Sequence, residues 1–220
     1  RSGELEIASP GLDPEKYLTF EIGAKAKWVK VETEISFFHT IVDNMIIRAP
    51  TGDLDGTNAI VIKKNSGAGY VQGIELNLSY RFLKNFKGVG FFSWQDGERD
   101  AYPDSSTVKK TEPMSRLLPM SGLLGLRWQP ESAKYWVEGI FKASDNQDEL
   151  SSSDKKDVQR IPPNGTAGYA TFCLRGGYEV NSYFSINSAI ENIGNIDYRI
   201  HGSGVNEPGL NFILTAKVSF

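Results

Sequence analysis

Pro208-Gly209-Leu210-Asn211-Phe212-Ile213-Leu214-Thr215-Ala216-Lys217-Val218-Ser219-Phe220 closes the chain, and its alternation decides the fold. Leu210, Phe212, Leu214, Ala216 and Val218 are all apolar. Asn211, Thr215, Lys217 and Ser219 fill the other register, interrupted only by Ile213. A period of two places these sets on opposite faces of one strand. The strand runs to a terminal aromatic. A closing strand of a transmembrane β-barrel has this form, with apolar atoms toward lipid, polar atoms toward the lumen and an aromatic at the interface.

The same alternation recurs along the chain. Leu18, Phe20, Ile22, Ala24, Ala26 and Trp28 oppose Thr19, Glu21, Gly23, Lys25 and Lys27. Val29, Val31, Thr33, Ile35 and Phe37 oppose Lys30, Glu32, Glu34 and Ser36. Ile74, Leu76, Leu78, Tyr80 and Phe82 oppose Gly73, Glu75, Asn77, Ser79 and Arg81. Further strands are expected around 116–128, 134–144, 168–180 and 183–196. The stretch 88–95 is apolar in both registers, so its facing stays open. Short connections are expected near 27–29, 83–87, 129–133 and 180–182, and long ones near 49–58, 96–114, 144–167 and 198–208. Short turns on one side and long loops on the other mark a barrel, with the short side periplasmic. Aromatics flank each short turn: Trp28; Phe82 and Phe86; Trp128, Tyr135 and Trp136; Tyr178, Tyr183 and Phe184. Such rings favour the headgroup region, where the apolar body and the polar tip are both satisfied.

Composition agrees. The chain has 220 residues, enough for one large all-β domain, and a net charge of −3, which carries no basic nucleic-acid footprint. No apolar run approaches the roughly 18 residues of a membrane helix. Twenty-two glycines, 12 Phe and 9 Tyr suit strands and tight turns. Lone Cys173 excludes an internal disulfide and a Cys-based zinc site. The chain starts at Arg1-Ser2-Gly3 without Met or a signal peptide, as a mature domain or a fragment would. About nine membrane-length strands are expected, an odd number where bacterial barrels have even ones. The first follows a loop-like stretch at 8–15 and heads toward the short-turn side, so strands are expected upstream. A passive porin-like barrel and a soluble β-sandwich binding module are the alternatives.

Four motifs then carry a resemblance. Leu12-Asp13-Pro14-Glu15 precedes Glu21-Ile22-Gly23-Ala24-Lys25. Asn65-Ser66-Gly67-Ala68-Gly69-Tyr70-Val71-Gln72-Gly73-Ile74-Glu75 forms the second. Ile190-Glu191-Asn192-Ile193-Gly194-Asn195 with Tyr198-Arg199 forms the third, and Pro208-Gly209 with Phe220 the fourth. In this order they resemble the C-terminal barrel portion of a TonB-dependent outer-membrane receptor. The resemblance implies an all-β, transmembrane, antiparallel up-and-down barrel of about 22 strands, of which residues 1–220 supply the C-terminal part. It implies outer-membrane lipid as surroundings, and a plug domain and further strands outside this chain. It also implies the TonB complex as energising partner, a small iron chelate as cargo (haem or a ferric siderophore), and no resident cofactor or enzymatic activity. Residues 159–169 and 198–204 look most like receptors for haem, haemoglobin or transferrin iron. The short FRAP-type and NPxL-type motifs of many haem receptors are absent.

Four loop residues are candidates for the ligand site. Tyr198 and His201 offer a phenol and an imidazole, both able to ligate haem iron. Arg160 and Arg199 offer guanidinium forks suited to an anionic chelate or a propionate. The bland reading makes them loop braces, with His201 merely exposed. Asp154-Lys155-Lys156-Asp157 reads as a solvated loop face, and Pro162-Pro163 stiffens its neighbourhood. His39 reads as an interfacial residue. The lumen-register charges, among them Glu75, Lys142, Arg175 and Glu191, read as wall or plug-contacting residues, with Arg175 and Glu191 expected to pair. Asp53-Leu54-Asp55-Gly56 lacks EF-hand spacing, and 67–73 lacks that of a dinucleotide fingerprint. No nucleophile has a base in prospect, so no catalytic residue is assigned.

Overall fold

A computed structural model describes residues 3–220; the Met-less start at Arg1 and Ser2 lies outside them. The alternating segments form β1 (Glu4–Glu6), β2 (Lys16–Lys27), β3 (Val31–Asp55), β4 (Asn58–Leu83), β5 (Phe86–Ala101) and β6 (Lys110–Pro113). They continue as β7 (Ser121–Trp128), β8 (Tyr135–Ser144), β9 (Tyr169–Asn181), β10 (Phe184–Glu191) and β11 (Asn211–Val218), with one short helix, α1 (Ser152–Lys156). β2-β3-β4-β5-β7-β8-β9-β10-β11 pair in that order as one up-and-down sheet of nine strands, antiparallel at each junction. The expected count of membrane-length strands is therefore observed. β1 lies parallel on β4, and β6 lies on β5, both at the long-loop end.

Register sorts the side chains. Ile22, Phe37, Ile74 and Trp94 stand directly opposite one another across β2 to β5. Leu78, Gly90, Leu124, Phe141 and Phe172 form a parallel row farther along, and Leu174, Ile190 and Phe212 another. These rows share one face and are bare: Ile22 is 74% exposed, Leu124 67% and Phe212 65%. A band of this size on one face of a sheet needs an apolar solvent. At its short-turn edge Trp128 and Tyr135 meet at 5.6 Å and Phe82 and Phe86 at 5.8 Å, as a girdle requires. His39 lies toward the other edge, opposite Phe20 and Gln72, and stacks on Tyr70 at 5.6 Å.

The opposite face is polar and cross-linked between strands. Lys25 meets Glu34 at 2.7 Å, Lys27 meets Glu32 at 2.6 Å, and Arg175 meets Glu191 at 3.3 Å, the last as expected. The stretch 88–95 is now resolved. Phe92 and Trp94 join the apolar rows, whereas Val89 and Phe91 face the polar side with Leu123, Ile140 and Cys173. Trp136 occupies this face too, and only a glycine fits beneath it: a Cβ on Gly177 would collide with the indole nitrogen and with Asn187.

Three expectations are corrected. The presumed loop at 49–58 is the far end of a hairpin, because β3 and β4 run 25 and 26 residues. Its ladder persists to Asp55–Asn58, with the turn at Gly56 (φ +61°). Beyond the apolar band, Ile47, Ala49 and Val61 bury a small core, and Arg48 pairs with Glu4 of β1. Similarly, β5 continues to Ala101 instead of yielding to a loop at Asp96. The strand expected to reach 196 stops at Glu191. Asn192 takes a positive φ of 48° there, and its side-chain amide donates to the carbonyls of Ile196 (2.8 Å) and Pro208 (3.0 Å). That amide holds the last long loop closed.

A charge in the middle of the apolar face has no water to solvate it. Leu124→Arg should destabilise the intact barrel in lipid by about 2–4 kcal/mol, whereas Lys142→Gln on the polar face should change it by less than about 0.5 kcal/mol. Urea unfolding in vesicles measures both.

Candidate functional site

The long-loop end carries the candidate site. Ser151 adopts an extended conformation (φ −65°, ψ 164°) and caps α1. Its hydroxyl accepts from the Asp154 backbone N–H at 3.1 Å, and the Asp154 carboxylate accepts from the Ser151 N–H at 3.3 Å. This reciprocal box offsets the cost of so short a helix. Asp154 also accepts from the Ser115 hydroxyl (2.7 Å) and the Arg116 N–H (3.3 Å), which ties the loop before β7 to the loop before β9. Asp154 is buried. Burial raises its carboxyl pKa, but the hydrogen bonds from Ser115, Ser151 and Arg116 outweigh that and hold it below its ordinary value.

The run expected as a solvated face is thus divided. Lys155 and Lys156 are exposed, whereas Asp154 points inward and Asp157 is clamped. Asp157 binds Arg116 and, at 3.3 Å, Arg160. The helical turn imposes this, since four consecutive positions on one turn cannot share a face. Ile161 lies beneath, 1% exposed. Farther on, Gly165 (φ +88°) brings the chain against the Gln147 carbonyl so closely that any Cβ would clash. Thr166 and Gln147 then exchange two backbone hydrogen bonds of 2.9 Å.

The last long loop docks on this base. His201 is 8% exposed, and its Nδ1 shares a 2.9 Å hydrogen bond with the Thr166 hydroxyl. Burial lowers its pKa; the nearby Asp154 charge raises it and Arg116 opposes that, with a net shift downward. His201 is therefore enclosed rather than exposed on a loop. Gly202 and Gly204 lie against Arg116 and Arg160: a Cβ would stand 3.3 Å from the Arg116 guanidinium and 3.4 Å from Arg160 Cγ. Arg160 and His201 thus belong to one cap. Tyr198 packs on Tyr169 at 4.3 Å between ring centroids, and burial, then the Glu207 charge, push its phenol pKa up. Arg199 donates Nε–H to Asn206 Oδ1 at 2.8 Å, and Asn206 donates to Asp197 at 2.7 Å, so this arginine braces its own loop.

Of the four sequence candidates, Arg160 is the exposed one and carries an accessible cation beside its ion pair. Ser115, Arg116, Asp154, Asp157 and Thr166 were not singled out as site residues. Ser151-x-x-Asp154 was a legible signal, being the spacing of a capping box. The contacts of Arg116 and Thr166 span 35 to 41 residues and leave no local trace. Among the described residues, no group of three or more His, Cys, Asp or Glu side chains could hold a metal ion. The cap can bind an anion through guanidinium groups, and His201 can reach a ligand only if the Thr166 contact opens.

A family model described as TonB dependent receptor-like, beta-barrel matches residues 2–193. No curated protein matches the sequence. Among solved structures, the copper transporter OprC superposes with a TM-score of 0.73 at 17% identity, covering 96% of this chain and 32% of its own. The ferric-catecholate import receptor Fiu from K12 E. coli gives 0.64 at 21%, covering 95% and 28%. The siderophore receptor PirA from Acinetobacter baumannii gives 0.68 at 16%, covering 95% and 32%. The chain spans about a third of the length of these structures, and at such identities the likeness is one of fold.

The two shifted groups give the cap a pH dependence of one sign. Asp154 and His201 both have folded pKa values below their ordinary ones, so unfolding takes up protons and acid favours opening. The His201 contribution should fade as pH falls below about 6.5, and that of Asp154 below about 4. Hydrogen exchange of residues 145–168, corrected for intrinsic rates, should show faster local opening through both windows. Asp154→Asn should abolish the lower one.

Proposed function

The chain belongs to the TonB-dependent receptor-like β-barrel family, whose barrels lie in the outer membrane of Gram-negative bacteria, and from that premise we propose that it forms the C-terminal wall of an importer of an iron complex. The observation that carries this reading is the sidedness of the sheet. Nine strands present an apolar band on one face and ion pairs on the other, with short turns at one end and a folded loop cap at the other. A cap of that kind, above a polar lumen, suits capture of a ligand before passage. The full protein would contain a plug domain, and import would be energised by contact between that part and the TonB complex.

The cargo we favour is an anionic ferric chelate, with a ferric siderophore ahead of haem. Arg160 is exposed, and its planar fork matches the carboxylate or catecholate oxygens of such a chelate. Haem ligation by His201 would first break the hydrogen bond to Thr166, and Tyr198 is engaged with Tyr169. Several similar structures are described as siderophore or ferric-catecholate receptors, which supports the chelate reading. Another is a copper transporter, which keeps the metal open.

Binding to the full-length receptor tests the assignment. A charge-assisted hydrogen bond contributes about 1.5–3 kcal/mol, so Arg160→Ala should weaken a ferric catecholate by roughly tenfold or more in intrinsic-fluorescence titration. Unchanged affinity would remove Arg160 from the site. Haem titrated by absorbance supplies the contrary outcome: tight binding lost in His201→Ala and Tyr198→Ala would restore the haem reading. Planar-bilayer conductance separates import from passive diffusion, because a plugged importer stays closed while a porin passes steady current.

A further inference from the structure

The last long loop carries a corner whose charge is opposite to that of Arg160. Tyr169 begins β9 in the polar register, which Thr171 and Cys173 continue. Its ring packs on that of Tyr198, with centroids 4.3 Å apart and planes tilted by 39°. The Glu207 N–H donates to the Tyr198 carbonyl at 2.8 Å, which folds the loop back and sets Glu207 beside the pair. After burial, the Glu207 charge is the next cause pushing the Tyr198 phenol up. All three residues are half-buried.

The fold leaves these polar groups unused. Among the described residues, neither phenol makes a hydrogen bond and the Glu207 carboxylate has no ion pair. Both phenol oxygens reach solvent. Two neighbouring cations are committed elsewhere: Arg199, next in the chain to Tyr198, donates to Asn206, and Arg175 pairs with Glu191 where the loop begins. By contrast, Asp154 and Asp157 are bonded on every side that the cap offers. A half-buried carboxylate without a partner costs free energy that an arriving cation recovers. Beside two phenol oxygens it makes an acceptor set for N–H donors, and the tyrosine rings attract the same charge.

We propose that Tyr169, Tyr198 and Glu207 form a subsite for an organic cation, an ammonium or guanidinium group carried by the cargo. This rests on the chelate reading above and narrows it. Arg160 flanks Gly204 of the same loop, so one cap offers a guanidinium for anionic oxygens and a separate corner for a basic group. The arrangement selects chelates that carry both signs. A metal ion fits the corner less well, because ligation by phenolates requires two phenols to lose protons beside Glu207, whereas an N–H donor takes them as they are.

The test titrates the full-length receptor in detergent with benzylamine, by calorimetry at neutral pH and low ionic strength. Benzyl alcohol is the uncharged counterpart. Saturable binding of the amine and none of the alcohol over the same range are expected, with at least about a tenfold loss of amine affinity in Glu207→Gln. Glu207→Asp keeps the charge and should retain most of the affinity, which separates lost charge from lost folding. No saturable amine binding, equal binding of amine and alcohol, or unchanged affinity in Glu207→Gln would overturn the proposal. So would a visible phenolate-to-iron band with ferric nitrilotriacetate that Tyr198→Phe removes, since the corner would then be a metal site. The probe contains no chelate. Amine binding without ferric-catecholate binding therefore strikes the cargo reading alone, and the converse strikes the cation subsite alone.

Discussion

Backbone hydrogen bonding with no water to fall back on is the constraint from which this architecture follows. In hydrocarbon, each unpaired N–H or C=O costs several kcal/mol, so a spanning strand must be paired along both sides. The unbroken antiparallel ladder from β2 to β11 answers that demand strand by strand. Once the ladder is set, register is set, and register decides which side chains share a face. The apolar rows through Ile22, Leu124 and Phe212 and the ion pairs behind them are consequences of pairing rather than separate devices. The same logic leaves β2 and β11 each with a free lateral edge in the sheet, which the rest of a closed barrel must satisfy.

Wall and cap are held by different forces. The wall rests on a repeated interaction, so loss of one side chain is averaged over many rungs. The cap rests on a few buried polar groups, chiefly Asp154, Ser151, Thr166, Asn192 and His201. Such networks are rigid when complete and fail abruptly when one partner is removed. That difference fits their settings: the wall repeats one interaction across a broad sheet, whereas the cap fixes one defined shape among the long loops.

Strand order and facing were legible in the sequence wherever one register was polar. They were illegible at 88–95, where Val89 and Phe91 face the polar side yet are apolar, so alternation carried no information. The far half of the β3–β4 hairpin was missed for a related reason. Beyond the band both faces meet water or small local cores, and residues such as Thr51, Asp53 and Asn58 read as turn formers although the ladder, shifted in register after Pro50, resumes at Leu54–Ala59 and Asp55–Asn58. In the cap, the four candidate residues were chosen by chemical type, which says nothing about partners. His201 was visible as a possible ligand, but its burial depends on Thr166, 35 residues away, and on the loop closure made by Asn192.

The anchoring of the cap has an evolutionary consequence. Residues 145–168 and 192–209 bond to one another and to the stretch at 115–117, and they also grip the strands: Arg99 of β5 donates to the Ser153 hydroxyl, Glu112 of β6 accepts from Ser152, and the Phe172 carbonyl of β9 accepts from the Ile193 N–H. Substitutions in the loops and in the strands beneath them therefore constrain one another, and the two drift together.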